Sequence, residues 1–217
     1  PSVALPEREF IEIFNRSNKI ISLKSIVLRE SSGDTPLPDV NLKAGEYMTL
    51  SSTTASEDFA DFGKNAGVTG FPSLSNGGEK LSLHNASDGT LIAEVEYSDD
   101  WYGDAVKKNG GYTLEMIDTN NPCGEENNWT ASVDASGGTP SRQNSVNGNN
   151  PDTKAPEIKA LTILDNQTLE VVFEPKRSNL HILAIGPSHP DLKFTGKDAA
   201  DFAASFADQG GADKLYA

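Results

Sequence analysis

Side chains that could perform chemistry are few and scattered along this sequence. The three histidines show no pairing at helical or loop spacing, whereas a zinc site needs clustered His, Cys or carboxylate ligands. The single cysteine, Cys123, stands close to Glu125 and Glu126. Acidic neighbours disfavour the thiolate that a nucleophile requires. We therefore expect no zinc site and a structural role for Cys123.

One acidic stretch has the oxygen spacing of a calcium loop. Asp118-Thr-Asn-Asn resembles the start of an EF-hand, but the twelfth position is Trp129, where a bidentate Glu is required. No EF-hand is therefore expected. A structural calcium ion held by other acidic loops stays open as an alternative, and no other cofactor is expected.

A serine and a histidine are adjacent near the end of the chain, in Gly186-Pro-Ser-His189. Neighbouring Ser and His in such a stretch are usually turn residues. Acyl transfer needs a nucleophile, a base and an oxyanion hole brought together, and the sequence shows no such set. We predict that the chain as given is not an enzyme.

The charge of the chain excludes one class of partner. Its net charge is −14, and residues 1–148 hold 11 Lys and Arg against 22 Asp and Glu. Phosphate backbones are bound by cations that release counterions, so this surface repels nucleic acid. No run of 18 apolar residues exists, so no transmembrane helix is expected. We expect a protein or an envelope component as the partner.

The densest strand signals lie between Phe71 and Tyr102. Apolar residues alternate with polar ones through Leu81–Leu83 and again through Leu91–Tyr97, the period of strands with one buried face. Asp88-Gly89 stands between them, where glycine can adopt positive φ in a hairpin loop. The pattern predicts a β-hairpin.

Further segments indicate a β-rich domain with one short helix. Strands are predicted for residues 9–15 (as a central strand), 20–29, 42–50, 111–117 and 127–133. A short helix or turn is predicted for Ser56–Gly63, with Ser56 as the candidate cap. Large aromatic residues bury enough area to anchor a core. We interpret Phe10, Tyr47 and Trp129 as core residues.

The loop after the predicted hairpin is the candidate binding surface. Trp101 and Tyr102 are flanked by Asp99, Asp100 and Asp104. Binding residues are disproportionately found on loops at strand ends, so an exposed recognition feature is one interpretation. Burial of the two aromatic rings in the core is the alternative.

Several short motifs in register resemble the lamin tail domain of bacterial surface and secreted proteins, from about Pro6 to Val146. The resemblance implies an immunoglobulin-like antiparallel β-sandwich with no catalytic residues. It departs at Ser25-Ile26, where many members have Gly-Trp. The motifs are FPSLSNGGEKL from Phe71, YSDDWYGD from Tyr97, GYTLE from Gly111, NPC from Asn121, NW from Asn128 and GGTPSRQNS from Gly137.

The remainder of the chain is divided at a polar, Pro-containing linker. We predict a lamin-tail-like domain over residues 1–147, a linker over 148–156 and an incomplete immunoglobulin-like hairpin over 157–175. Residues 176–217 resemble the first β-α unit of caspase-like peptidases, in LHILAIG and the predicted helix after it.

Two functions follow from this organisation. The first is a non-catalytic interaction or structural module of a multidomain secreted or cell-surface bacterial protein, located outside the cell or in its envelope. The second is an accessory region of a hydrolase, a caspase-like cysteine peptidase whose catalytic part lies beyond Ala217.

Overall fold

The computed structural model describes residues 4–121, 125–151, 158–165 and 168–173. Over these residues the chain is mainly β, as predicted, with short 3-10 helices between strands. The strands are β1 (Phe10–Phe14), β2 (Ile21–Ser22), β3 (Ile26–Glu30), β4 (Gly33–Pro36), β5 (Asn41–Leu42), β6 (Tyr47–Ser52), β7 (Asn65–Val68), β8 (Gly78–Asn85), β9 (Leu91–Ser98), β10 (Leu114–Met116), β11 (Trp129–Ala131), β12 (Ile158–Ile163) and β13 (Leu169–Phe173). The 3-10 helices are Leu23–Ser25, Ser56–Phe62, Asp99–Tyr102, Lys107–Asn109 and Glu125–Asn128.

The predicted hairpin is confirmed as part of the largest sheet. Strands β8 and β9 pair antiparallel in a four-stranded sheet of order β4-β3-β8-β9. The loop closes through the Asn85 N–H, which donates to the Thr90 carbonyl at 2.8 Å. Gly89 has a φ of 72°, the positive value that a side chain would disfavour. The loop chemistry read from the sequence therefore matches the backbone.

The second sheet corrects two expectations. Its order is β1-β6-β7, so β1 is an outer strand rather than a central one. Strands β6 and β7 are parallel, whereas the prediction was of antiparallel sheets throughout. The chain crosses between these two strands through the 3-10 helix Ser56–Phe62, which returns it to the end where β6 began. β7 is short, and the sequence pattern did not predict it.

Two local predictions were also wrong. The segment 20–29 is not one strand, because the 3-10 helix Leu23–Ser25 separates β2, which pairs with β5, from β3. Leu23 is buried within this 3-10 turn. Ser56 does not cap its helix but donates a hydrogen bond to the Thr53 carbonyl.

One hydrophobic cluster contains side chains from the four-stranded sheet β4-β3-β8-β9 and from the three-stranded sheet β1-β6-β7. Ile26 and Leu28 come from β3, Met48 and Leu50 from β6, and Val68 from β7. All five are less than 9% exposed. Burial of this apolar area is the main stabilising contribution to the fold.

The aromatic residues correct another expectation. Trp129, Phe10 and Tyr47 are only partly buried, whereas Phe59 has 0% exposure. The Phe59 ring packs 5.0 Å from the ring of Phe10. Trp129 lies in the separate two-stranded sheet β10-β11, and no sequence period shows which sheet a strand will join. Trp129 is therefore not the centre of the core.

The described strands belong to two compact units, β1–β11 within Pro1–Pro151 and β12–β13 within Asp152–Ala217. The predicted pair of strands in the second unit is confirmed, with Ile163 opposite Leu169. Its hairpin exposes Ile163, Leu164 and Val172. The predicted β-α unit, residues 176–217, lies outside the described residues.

Replacement of Phe59 should test the position of the core. Phe59→Ala is expected to lower the free energy of unfolding by about 3–5 kcal/mol, because it leaves a cavity in a closed site. Trp129→Ala should cost only about 1–2 kcal/mol, since that ring is partly exposed. Urea denaturation of both variants and of Phe59→Leu measures the difference. A larger loss for Trp129→Ala than for Phe59→Ala would contradict this assignment.

Candidate functional site

Four residues of the predicted binding surface form one short element. Asp99, Asp100, Trp101 and Tyr102 make a 3-10 helix directly after β9. The Ser98 hydroxyl oxygen begins it by accepting a hydrogen bond from the Asp100 N–H. The structure thus brings these side chains together.

The acidic side chains of this loop bind cationic and backbone groups of the same loop. Lys108 Nζ lies 3.0 Å from Asp99 and 2.9 Å from Asp100. The Asp104 carboxylate accepts hydrogen bonds from the N–H groups of Lys107 and Val106, which lower its pKa. The Asp100 side chain is still 84% exposed and can meet a partner.

The aromatic rings of the loop are half-buried against other segments. The rings of Trp101 and Trp129 lie 6.4 Å apart, and the Tyr102 hydroxyl donates to the Tyr112 carbonyl at 3.0 Å. Lys107 Nζ lies 5.1 Å from the centre of the Tyr112 ring. Sequence reasoning missed Lys107 and Tyr112, because only the packing of the loop brings them beside the predicted residues. The rings of Trp101 and Tyr102 are therefore neither fully exposed nor fully buried, and their role in binding stays a prediction.

Strand β9, which leads into this loop, is the outer strand of its sheet. Ile92, at the bulge in its pairing with β8, is 50% exposed. Ala93, Glu94 and Glu96 are exposed as well. The 3-10 helix Glu125–Asn128 lies near this strand. The exposed part of β9 is thus continuous with the predicted loop.

The segment GGTPSRQNS, residues 137–145, contributes donors to a buried carboxylate. Glu115 of β10 is 4% exposed. One of its oxygens accepts the hydroxyl of Thr139 at 2.8 Å. The other accepts both the N–H and the hydroxyl of Ser145, at 2.8 and 2.7 Å. These charge-assisted bonds compensate for burying the carboxylate.

The carboxyl group of Glu12 contacts the same segment at Ser141. The Ser141 N–H donates to Glu12 of β1 at 2.6 Å. The Ser141 hydroxyl donates to the Lys64 carbonyl at 2.6 Å and lies 2.7 Å from the hydroxyl of Thr49. Burial raises the pKa of Glu12 to about 8, and the nearby Glu115 carboxylate adds to the rise. Sequence reasoning placed Glu12 on a strand but missed this contact between distant segments.

The calcium-like stretch at Asp118 serves as a hydrogen-bonding node. Asn128 has 0% exposure, and its amide group donates to the carbonyls of Asp118 and Asn121. The Asp118 carboxylate accepts N–H bonds from Asn150 and Asn120, which lower its pKa. Within the described ranges, no group of three or more His, Cys, Asp or Glu residues could hold a metal ion.

An open groove of about 500 Å³ lies on the surface near the start of the chain. Its charged residues include Arg8 and Asp58, which pair with each other at 2.8 Å.

In the part of the chain that the structure describes, no helix is long and apolar enough to cross a membrane. No protein-family model and no curated protein matches the sequence. The loop Asp99–Asp104 and strand β9 form the candidate site, because they carry the exposed acidic and apolar side chains described above.

The raised pKa of Glu12 predicts a pH dependence of stability. Between its ordinary pKa of 4.5 and about 8, the folded chain holds a proton that the unfolded chain has lost. The contribution of Glu12 is present below pH 4.5 and is lost as the pH rises through about 8. Glu12→Gln should remove this loss and be more stable than the native chain at high pH, measured by urea denaturation at several pH values. Glu57→Gln, at an exposed position, is the control and should leave the slope unchanged.

The backbone at Ser141 gives a second prediction. Its φ is 63°, in the left-handed region that favours glycine. Ser141→Gly and Ser141→Ala both lose the hydroxyl bonds, but alanine keeps the Cβ that strains this conformation. The alanine variant should be about 1 kcal/mol less stable than the glycine variant in chemical denaturation. Equal stabilities would show that the backbone shifts to relieve the strain.

Proposed function

We propose that this chain is a non-catalytic interaction or structural module of a multidomain secreted or cell-surface bacterial protein, similar to the lamin tail domain. The motif residues 137–145 support the proposal, because they act together as one hydrogen-bonding segment. Thr139 and Ser145 bind Glu115 of β10, and Ser141 binds Glu12 of β1.

We also propose an immunoglobulin-like sandwich as the architecture. Support comes from the hydrophobic cluster, which receives side chains from the sheet β4-β3-β8-β9 and from the sheet β1-β6-β7. Two sheets that share one buried cluster can pack face to face in this way. The parallel pair β6-β7 departs from the antiparallel arrangement that the resemblance implies.

The observation that carries the functional proposal is how the carboxylates are used. Glu12, Glu115, Asp104 and Asp118 each accept hydrogen bonds from backbone N–H groups of other residues. A carboxylate held in this way stabilises a loop or links two segments. The outer strand β9 and the loop after it leave acidic and apolar groups exposed, which favours binding.

The partner is therefore a protein or an envelope component outside the cell. The net charge of −14 favours a partner with basic groups and repels nucleic acid. Localisation in the envelope or outside the cell follows from the resemblance. No metal or other cofactor takes part in the proposed binding.

Co-sedimentation with bacterial cell-envelope fragments tests this function. The purified chain should bind in a saturable way that survives nuclease treatment and weakens as salt is raised. Asp100→Lys should reduce the affinity severalfold, whereas the matched variant Glu57→Lys, at an exposed position of the 3-10 helix Ser56–Phe62, should bind like the native chain. Absence of binding, or a complex with duplex DNA at physiological ionic strength, would contradict the proposal.

A further inference from the structure

We propose that the outer edge of β9 binds an extended segment of a partner protein by strand addition, and that this segment carries Lys or Arg at alternate positions. The inference rests on the proposed function, because it names the class of partner that such a module would bind. Strand addition joins an extended peptide to the free edge of a sheet through main-chain hydrogen bonds.

The phase of the β8-β9 ladder shows which backbone groups of β9 point away from β8. The Asp99 N–H donates to the Gly77 carbonyl at 3.3 Å, and Gly78 lies opposite Ser98. In an antiparallel pair, hydrogen-bonded positions alternate with positions whose N–H and C=O groups point away from the partner strand. Val95, opposite Leu81, is therefore a hydrogen-bonded position. The N–H and C=O groups of Glu94 and Glu96 point outward.

β9 differs from the other outer strands of the two large sheets. It has eight residues, whereas β4 has four and ends at Pro36, a residue that blocks pairing. β1 and β7 have five and four residues. The bulge at Ile92 lies near the hairpin loop, so the ladder is regular from Ala93 to Ser98. An outer strand of this length is able to pair with another chain.

The acidic side chains of β9 favour a basic strand as the partner at this edge. Glu94 and Glu96 project from the same face, about 7 Å apart, because strand side chains alternate. Lys80 Nζ binds Glu94 at 2.8 Å. No ion pair to Glu96 occurs among the residues that the structure describes. A partner strand with basic residues at positions i and i+2 would complement both carboxylates.

The same charges disfavour a second copy of this chain. Antiparallel pairing of two β9 edges would bring Glu94 and Glu96 of one copy against those of the other. Like charges across neighbouring strands are destabilising, and charged edge residues are a common protection against self-association. The outer edge of β9 thus disfavours pairing with a second copy of this chain and favours pairing with a basic strand.

A synthetic peptide of alternating Lys and Val, labelled with fluorescein, tests the inference on the full chain. Hydrogen exchange of the chain with saturating peptide should slow at the amides of Glu94 and Glu96 by at least about tenfold, since they become hydrogen-bonded. The Val95 amide, already paired with β8, should change little. Unchanged exchange at Glu94 and Glu96 would overturn the proposal.

Charge variants sharpen the test through peptide affinity. Glu96→Lys should weaken binding about tenfold, whereas Glu57→Lys carries the same change of charge and should bind like the native chain. Lys80→Gln should strengthen binding, because it frees the Glu94 carboxylate. All three positions are exposed, and unchanged urea midpoints would show that each variant folds.

Two further controls decide between mechanisms. The same peptide with every peptide nitrogen methylated keeps its charge but has no backbone donor, so it should not bind. Equal binding of that peptide would reduce the interaction to charge and overturn strand addition, as would dimers of the chain joined through β9. A chain that binds envelope fragments but not the peptide overturns this inference alone, whereas a chain that binds neither overturns the proposed function too.

Discussion

The structure depends on hydrogen bonds that two glutamates, the buried Glu115 and the half-buried Glu12, accept from residues 137–145. The Glu115 side chain accepts hydrogen bonds from Thr139 and Ser145, and the Glu12 side chain accepts one from the N–H of Ser141. These contacts join β1 and β10 to a segment that itself forms no strand. A buried carboxylate without such donors would destabilise the fold by several kcal/mol. Residues 137–145 therefore stabilise the fold together with the strands.

Buried polar side chains outside residues 137–145 are hydrogen-bonded as well. In the described ranges, every buried side-chain nitrogen or oxygen has a hydrogen-bond partner. Asn15 and Asn128, with 1% and 0% exposure, each donate to backbone carbonyls of other segments. Asparagine suits this task because its amide both donates and accepts. Irregular segments can thus be buried without leaving their backbone groups unsatisfied.

The two kinds of carboxylate in this protein have different physical roles. Buried ones such as Glu115 organise the interior, whereas exposed ones such as Glu96 shape the surface. On β9, exposed charge protects an outer strand against self-association and favours a basic partner. The same residue type therefore contributes to stability at one position and, in our proposal, to recognition at another, because burial differs.

Local sequence determined the elements whose signals are short in range. The hairpin β8-β9 followed from alternation and from Asp88-Gly89, and the mainly β class followed from the turn-rich composition. The grouping of Asp99, Asp100, Trp101 and Tyr102 could also be predicted, since they are adjacent in the chain.

Tertiary structure decided everything that joins distant segments. The parallel pairing of β6 with β7, the outer position of β1 and the modest burial of Trp129 depend on which strands meet. The Glu12–Ser141 contact joins residues far apart in the chain. A period of two places a side chain on one face of a strand but does not say which strand lies beside it. Pairing and burial are set by the packing of the whole domain, because the favourable energy comes from contacts between segments that no local pattern encodes.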